Sequence, residues 1–176
     1  MEQMLILVDE HDNPTGYAPR SECHKGAGRR HRAIVVLLSN SEKQVLLQRR
    51  KSALWDGFWD ITGATHTLHY PDHDESYEDA TRRCLRAELN IEDVAIEKGF
   101  GFNYFERFNG SCENEYCMLL TGKYDGPVAF NPEYAYGVRW PSVELCQREI
   151  KDNPSIYTPW ARIVIGKLSD FLLTTL

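Results

Sequence analysis

The sequence predicts an α/β (α+β) fold, a β-sheet covered by helices, and three observations carry that reading. Short apolar runs such as MLILV (4–8) and AIVVLLS (33–39) have the length and β-branched content of strands. Ser76, with Glu78 and Asp79 behind it, opens a charge-rich run that continues without proline or glycine to Leu89, the pattern of a capped helix. The segment TPWARIVIGKLSDFLL (158–173) reads as an amphipathic C-terminal helix with Pro159 in its first turn. Elements with one apolar face bury it by packing in layers.

After the first strand, DEHDNPTG reads as a turn from its Asp, Asn, Pro and Gly content. In PRSECHKGAGRRHR, Pro19 opens a short helix that Gly26 and Gly28 close, so that His24 and His31 flank a glycine loop. His31 then begins the second strand, whose continuous apolar run suggests burial on both faces. Asn40 to Lys43 turns the chain into QVLLQRR, its hairpin partner, which ends at Arg49 and Arg50. Trp55, Phe58 and Trp59 read as core aromatics. Phe58 to Thr62 is a short apolar strand, and the polar loop after it holds His66, His69 and His73. Beyond the helix at 76–90, Val94 to Phe105 reads as a strand, Asn109-Gly110 as a hairpin turn, and CENEYCMLLTGKY as the returning strand. On it Glu113, Glu115 and Cys117 share one face, which sets two carboxylates about 7 Å apart. Like charges so placed need solvent or a cation. A connection from Pro127 to Tyr136, a last strand GVRW and a helix VELCQREIK, capped by Ser142 and broken at Asn153-Pro154, complete the chain.

A length of 176 residues suits one domain covering 1–176, and 42% hydrophobic content is enough for a sizeable core. No stretch approaches the roughly twenty apolar residues of a membrane span, and the start lacks a signal-peptide pattern, so a cytoplasmic protein without a membrane partner is expected. The five cysteines, Cys23, Cys84, Cys112, Cys117 and Cys146, include no CxxC pair and read as small buried residues. A net charge of −6 argues against nucleic acid as a partner. An anionic ligand would need local neutralisation by metal and arginine.

Glu75, seven residues and then RCLRAELNI resemble the Nudix box: Glu75, Arg83 and Glu88 fit, and Leu85 and Ile91 supply its apolar positions. Cys84 and Ala87 stand where a Nudix hydrolase has metal-binding glutamates, Asn90 replaces a glycine, and the loop from Gly63 to Glu75 is longer than the box allows. With those departures the chain, roughly Met4 to Phe171, resembles the type I isopentenyl-diphosphate isomerases, which have a Nudix fold but move a double bond. The resemblance implies a mixed β-sheet sandwiched between α-helices and a metal-dependent enzyme acting on a small-molecule diphosphate, as a monomer or homodimer. It implies that a transition metal, Mn²⁺ or Zn²⁺, is held by His24, His31, His66, Glu113 and Glu115, and that Glu88 binds Mg²⁺ on the diphosphate. Mixed imidazole and carboxylate ligation suits such a transition metal better than Mg²⁺ alone. It further implies catalytic roles for Glu115, Tyr104 and Trp160, the indole facing a carbocation, and diphosphate binding by Arg20 and Arg50. His69 and His73 match nothing in the pattern. The isomerases carry a catalytic cysteine in an S-x-C-G-H stretch, and the corresponding TGATH puts Ala64 there. A methyl group transfers no proton. A Nudix diphosphohydrolase cleaving a nucleoside or prenyl diphosphate is the alternative, and an inactive binding module the third.

Overall fold

The computed structural model describes residues 2–175, and of 169–175 the backbone alone. Its elements are β1 Met4–Val8, β2 Pro14–Pro19, α1 Arg20–Cys23, β3 His31–Ser39, β4 Leu47–Arg50, β5 Trp59–Asp60, β6 Gly63–His66, α2 Tyr77–Leu89, β7 Glu97–Phe108, β8 Ser111–Lys123, β9 Ala135–Arg139, α3 Val143–Asp152 and α4 Pro159–Thr175. A short 3-10 turn at Pro154–Ile156 separates the last two helices.

The central element is β3, buried on both faces as its apolar run predicts. It pairs in parallel with β8 along its whole length and antiparallel with β6, while β1 joins it at Leu7 opposite His31. Strands β2 and β7 extend the ends, so a mixed six-stranded sheet results. Alternation then sorts the side chains. Ile34, Val36 and Leu38 pack with Leu120 against Ala80, Leu85 and Leu89 of α2. Ala33, Val35 and Leu37 pack with Cys117 and Leu119 against Trp160, Val164 and Ile165 of α4 and Cys146 of α3. The sheet is therefore covered by helices on both faces, as expected.

Helix α2 starts where the sequence says it should, with Ser76 Oγ accepting from the Asp79 amide. It stops because Asn90 takes a left-handed conformation, φ 55°, that asparagine tolerates better than most residues. Ser142 caps α3 in the same way through the Leu145 amide.

Three expectations are corrected. The segment read as a turn, DEHDNPTG, turns only at its start; Pro14 to Pro19 then runs as β2, antiparallel to β1, with its prolines at the strand ends where no ladder donor is missed. QVLLQRR is not a simple hairpin partner of β3. Leu46 still donates to the Leu38 carbonyl, but Thr62 wedges in beside them: its hydroxyl accepts from the Leu38 amide and donates to the Leu46 carbonyl. From Leu47 the strand leaves for a second, three-stranded sheet, β5-β4-β9. The strand read at 58–62 is confined to Trp59–Asp60, and a separate strand, β6, carries His66, which is therefore on a strand end rather than in a loop.

We expect Leu85→Ala, at the centre of the α2 interface, to lower the unfolding free energy by about 2–5 kcal/mol, and Ser76→Ala by about 1 kcal/mol. Guanidinium denaturation followed by circular dichroism measures both.

Candidate active site

Parallel pairing of β3 with β8 sets His31 directly beside Glu115, and antiparallel pairing of β3 with β6 sets His66 beside Ala33 on the same face. Helix α1 ends at His24, which turns its ring over this row. The three imidazoles form a near-equilateral triangle, with ring centroids 4.9, 5.1 and 4.9 Å apart. With Glu113 and Glu115 they offer five ligand atoms, all within 4.8 Å of one another. His31 is completely buried, and Glu113 and Glu115 are 5% and 4% exposed.

The rings are oriented from behind. His24 Nδ1 lies 2.8 Å from the Arg20 carbonyl and His31 Nδ1 2.8 Å from the Arg29 carbonyl, so each Nδ1–H donates outward and each Nε2 lone pair faces the centre. His24 Nε2 and Glu113 Oε2 are 2.9 Å apart yet make no hydrogen bond, and His31 Nε2 is likewise buried without one. Buried polar atoms left facing one point are costly unless a cation joins them. The donor set fits a divalent transition metal.

The electrostatics differ from group to group. Burial holds the His66 imidazole down to about 3, with His31 adding to the effect, so it stands neutral as a ligand must. Burial and the neighbouring Glu115 carboxylate push Glu113 up to about 6. Burial also acts to raise Glu115, but the rings of His31 and His66 outweigh it and hold that carboxyl well below the usual range. Glu115 Oε1 lies 3.0 Å from His66 and 3.3 Å from His31. Its Oε2 accepts a short hydrogen bond from the Tyr104 hydroxyl, and the Cys117 thiol approaches the same oxygen at 3.5 Å.

Beside this cluster opens a cavity of about 360 Å³ lined by Ala33, Ala64, Cys117, Tyr104, Trp160 and Glu88 among others. Trp160 is 3% exposed, with its ring centroid 6.0 Å from Tyr104 and 5.1 Å from Trp55. Arg50 stands over the Trp160 ring at 5.3 Å, and Arg20 lines the cavity while remaining exposed. Glu88 projects from α2, accepting from Gln48 Nε2 at 2.6 Å and from the Cys84 thiol at 3.4 Å. Burial raises its carboxyl, with Gln48 and Arg50 opposing. Glu75 is used differently: it grips Arg83 with both oxygens, at 2.7 and 2.8 Å.

Arg20, Arg50, His66, Glu88, Tyr104, Glu113, Glu115 and Trp160 thus line one cavity, and His24 and His31 join it through the cluster they form with His66, Glu113 and Glu115. His69 and His73 lie outside; His69 pairs with Asp74 and stacks on Tyr17, and His73 pairs with Asp72. Two buried residues escaped notice. Asp60 is 0% exposed and accepts from Trp160 Nε1 at 2.6 Å, and Gln48 is 1% exposed beside Glu88. A lone acid between Trp59 and Ile61 was the available signal for the first.

The NUDIX domain model matches residues 29–161. Isopentenyl-diphosphate Delta-isomerase 2 of Aromatoleum aromaticum is 34% identical over 96% of this chain and 87% of its own. Isopentenyl-diphosphate Delta-isomerase of Halobacterium salinarum is 34% identical over 94% of this chain and 79% of its own. Among solved structures, DR0079 from Deinococcus radiodurans matches with a TM-score of 0.74 at 22% identity, covering 94% of this chain and 98% of its own. A MutT protein from Methanosarcina mazei matches at 0.60 and 17%, covering 80% and 94%. The last two likenesses concern the fold.

We expect the protein to bind Mn²⁺ or Zn²⁺ at a single tight site. At a free concentration a hundredfold above Kd the ion should add about 2.7 kcal/mol to the unfolding free energy. Chelation should remove that gain and His31→Ala should abolish it, as read by thermal melts and metal analysis of the purified protein.

Proposed function

The chain belongs to the NUDIX domain family, in which it is isopentenyl-diphosphate isomerase-like, and from that premise we propose that it is a metal-dependent enzyme protonating the double bond of a prenyl diphosphate. The observation that carries this reading is that Glu115, one member of the five-ligand cluster, also holds the Tyr104 hydroxyl on the edge of an aromatic-walled cavity. His24, His31, His66, Glu113 and Glu115 would hold the transition metal, and Glu88 a Mg²⁺ ion on the diphosphate. A divalent cation supplies fixed positive charge that keeps carboxylates ionised and neutralises an anionic substrate.

The chain's own groups do the rest. Tyr104 and Glu115 form a hydrogen-bonded pair facing the cavity, the phenol donating to Glu115 Oε2; the pair would pass a solvent-derived proton to one carbon of the double bond and take a proton back from the neighbouring carbon, which discharges the cation and closes the proton count. The rings of Trp160 and Tyr104, 6.0 Å apart on the cavity lining, would stabilise positive charge developing on carbon. Arg20 and Arg50, at the cavity's basic side, bind the diphosphate. As expected of a family member acting on a small anion, the net charge of −6 makes this local basic patch necessary. No described helix is long and apolar enough to cross a membrane.

A second reading has its own support. Ala64 paves the cavity floor where the isomerases place a thiol, and a floor without that group leaves room for water, which favours hydrolysis of the diphosphate. Cys84 and Ala87, in place of two carboxylates, weigh against it.

Incubation in deuterium oxide with Mn²⁺, Mg²⁺ and a panel of prenyl diphosphates, read by NMR, separates the two. We expect solvent deuterium to enter the prenyl chain and Glu115→Gln to abolish it; phosphate release without deuterium uptake would establish the hydrolase instead. Ala64→Cys is expected to raise double-bond isomerisation by about 10²-fold or more, the ordinary contribution of a positioned acid–base group.

A further inference from the structure

Among the described residues, Asp60 is a fully buried carboxyl group that the reaction outlined above does not use. It sits on β5 with no exposed surface, opposite Gln48 of β4. Its Oδ1 accepts from Trp160 Nε1 at 2.6 Å, the Thr158 hydroxyl at 3.0 Å and the Ile61 amide at 2.8 Å. Its Oδ2 pairs with Arg50 at 3.2 Å. An aspartate placed in a hydrophobic wall costs stability unless its partners are fixed, so a purely structural anchor could be had more cheaply from an amide.

The partners explain the charge. The Arg50 guanidinium lies 5.3 Å from the Trp160 ring centroid and is also tied to the Leu54 carbonyl and the Ser52 hydroxyl. A ring already facing one cation is a poor wall for a second, because the two positive charges repel across a low-dielectric site. Asp60 cancels Arg50 at the point where that guanidinium meets the indole. At the same time its bond to Nε1 fixes the indole in place on the cavity lining, with Tyr104 at 6.0 Å.

Resting on the function proposed above, we infer that Asp60 is a positioning residue: through Trp160 and Arg50 it makes one aromatic wall receptive to positive charge on the hydrocarbon end of the substrate while an arginine at the same wall serves the diphosphate end. It acts through those two side chains and touches no substrate itself.

The test uses two probes, inorganic diphosphate and an alkyl diphosphate bearing a tertiary ammonium group in place of the reacting carbon, titrated by calorimetry into the Mn²⁺- and Mg²⁺-loaded protein. Asp60→Asn should lower the preference for the ammonium probe over inorganic diphosphate by about tenfold or more, the worth of a hydrogen bond to a charged group. It should also move the Trp160 indole N–H resonance, assigned by its loss in Trp160→Phe, and the double variant should lose no more preference than Trp160→Phe alone. Should Asp60→Asn leave too little folded protein, Arg50→Gln with and without Asp60→Asn isolates the hydrogen bond to Trp160 Nε1: with no guanidinium to cancel, Asp60→Asn should still move the indole N–H resonance while changing the preference less than it does beside Arg50. Binding of both probes by Asp60→Asn with an unchanged preference, or an unmoved indole resonance in the Arg50→Gln background, refutes the role of Asp60 and leaves the enzyme reading intact. Failure of the unaltered protein to bind either diphosphate refutes both.

Discussion

One register decides the site: the parallel pairing of β3 with β8 that puts His31 beside Glu115. Strand side chains alternate between faces, so a slip by one residue would send Glu113 and Glu115 into the leucine layer beneath α2 and bring Asn114 and Tyr116 to the cavity. The register is held by the apolar residues further along. Ile34, Val36 and Leu38 fill one layer and Val35 and Leu37 the other, and none can exchange faces without exposing the layer it leaves. The polar cluster is thus positioned by hydrophobic packing it does not share in.

That arrangement has an electrostatic cost. Two carboxylates and three imidazoles are enclosed within a few ångströms, several with no hydrogen-bond partner for the atom that faces inward. The Arg20 and Arg29 carbonyls stand behind His24 and His31 and the Tyr104 hydroxyl behind Glu115, while His24 Nε2, His31 Nε2 and Glu113 Oε2 face inward without a hydrogen bond. A site built only for stability would have satisfied those three atoms. The imbalance is what a ligand set looks like before its ion is counted.

The strands, helices and caps were legible because each follows from local chemistry: the apolar run of β3, Ser76 and Ser142 at helix starts, Asn109-Gly110 at a hairpin. Glu113 and Glu115 announced themselves as paired acids on one strand face. His24, His31 and His66 did not, because nothing local distinguishes a ligand from a surface histidine, and only their resemblance to a family pattern singled them out. The division into two sheets was illegible for a different reason. It depends on Thr62, whose hydroxyl bonds two strands remote in sequence, and no short-range pattern encodes such a bridge. Asp60 was missed for the same cause, since its four partners come from Arg50, Ile61, Thr158 and Trp160.

The absence of a thiol at position 64 is then best understood against what surrounds it. Ala64 pairs with Val35 in the middle of a short strand and packs in the layer below α4, so the backbone there is fixed by the same contacts that hold His66 two residues on. Exchanging one small side chain for another at that position disturbs neither the sheet nor the ligand cluster. In the proposed reaction the parts stand on separate elements: the histidine and carboxylate cluster at the end of α1 and on β3, β6 and β8, Trp160 on α4, Arg20 and Arg50 along the cavity, and Ala64 on β6. Such independence is what lets one fold carry several chemistries. A change at Ala64 leaves the ligand cluster standing, whereas a change in the β3–β8 register would disperse it.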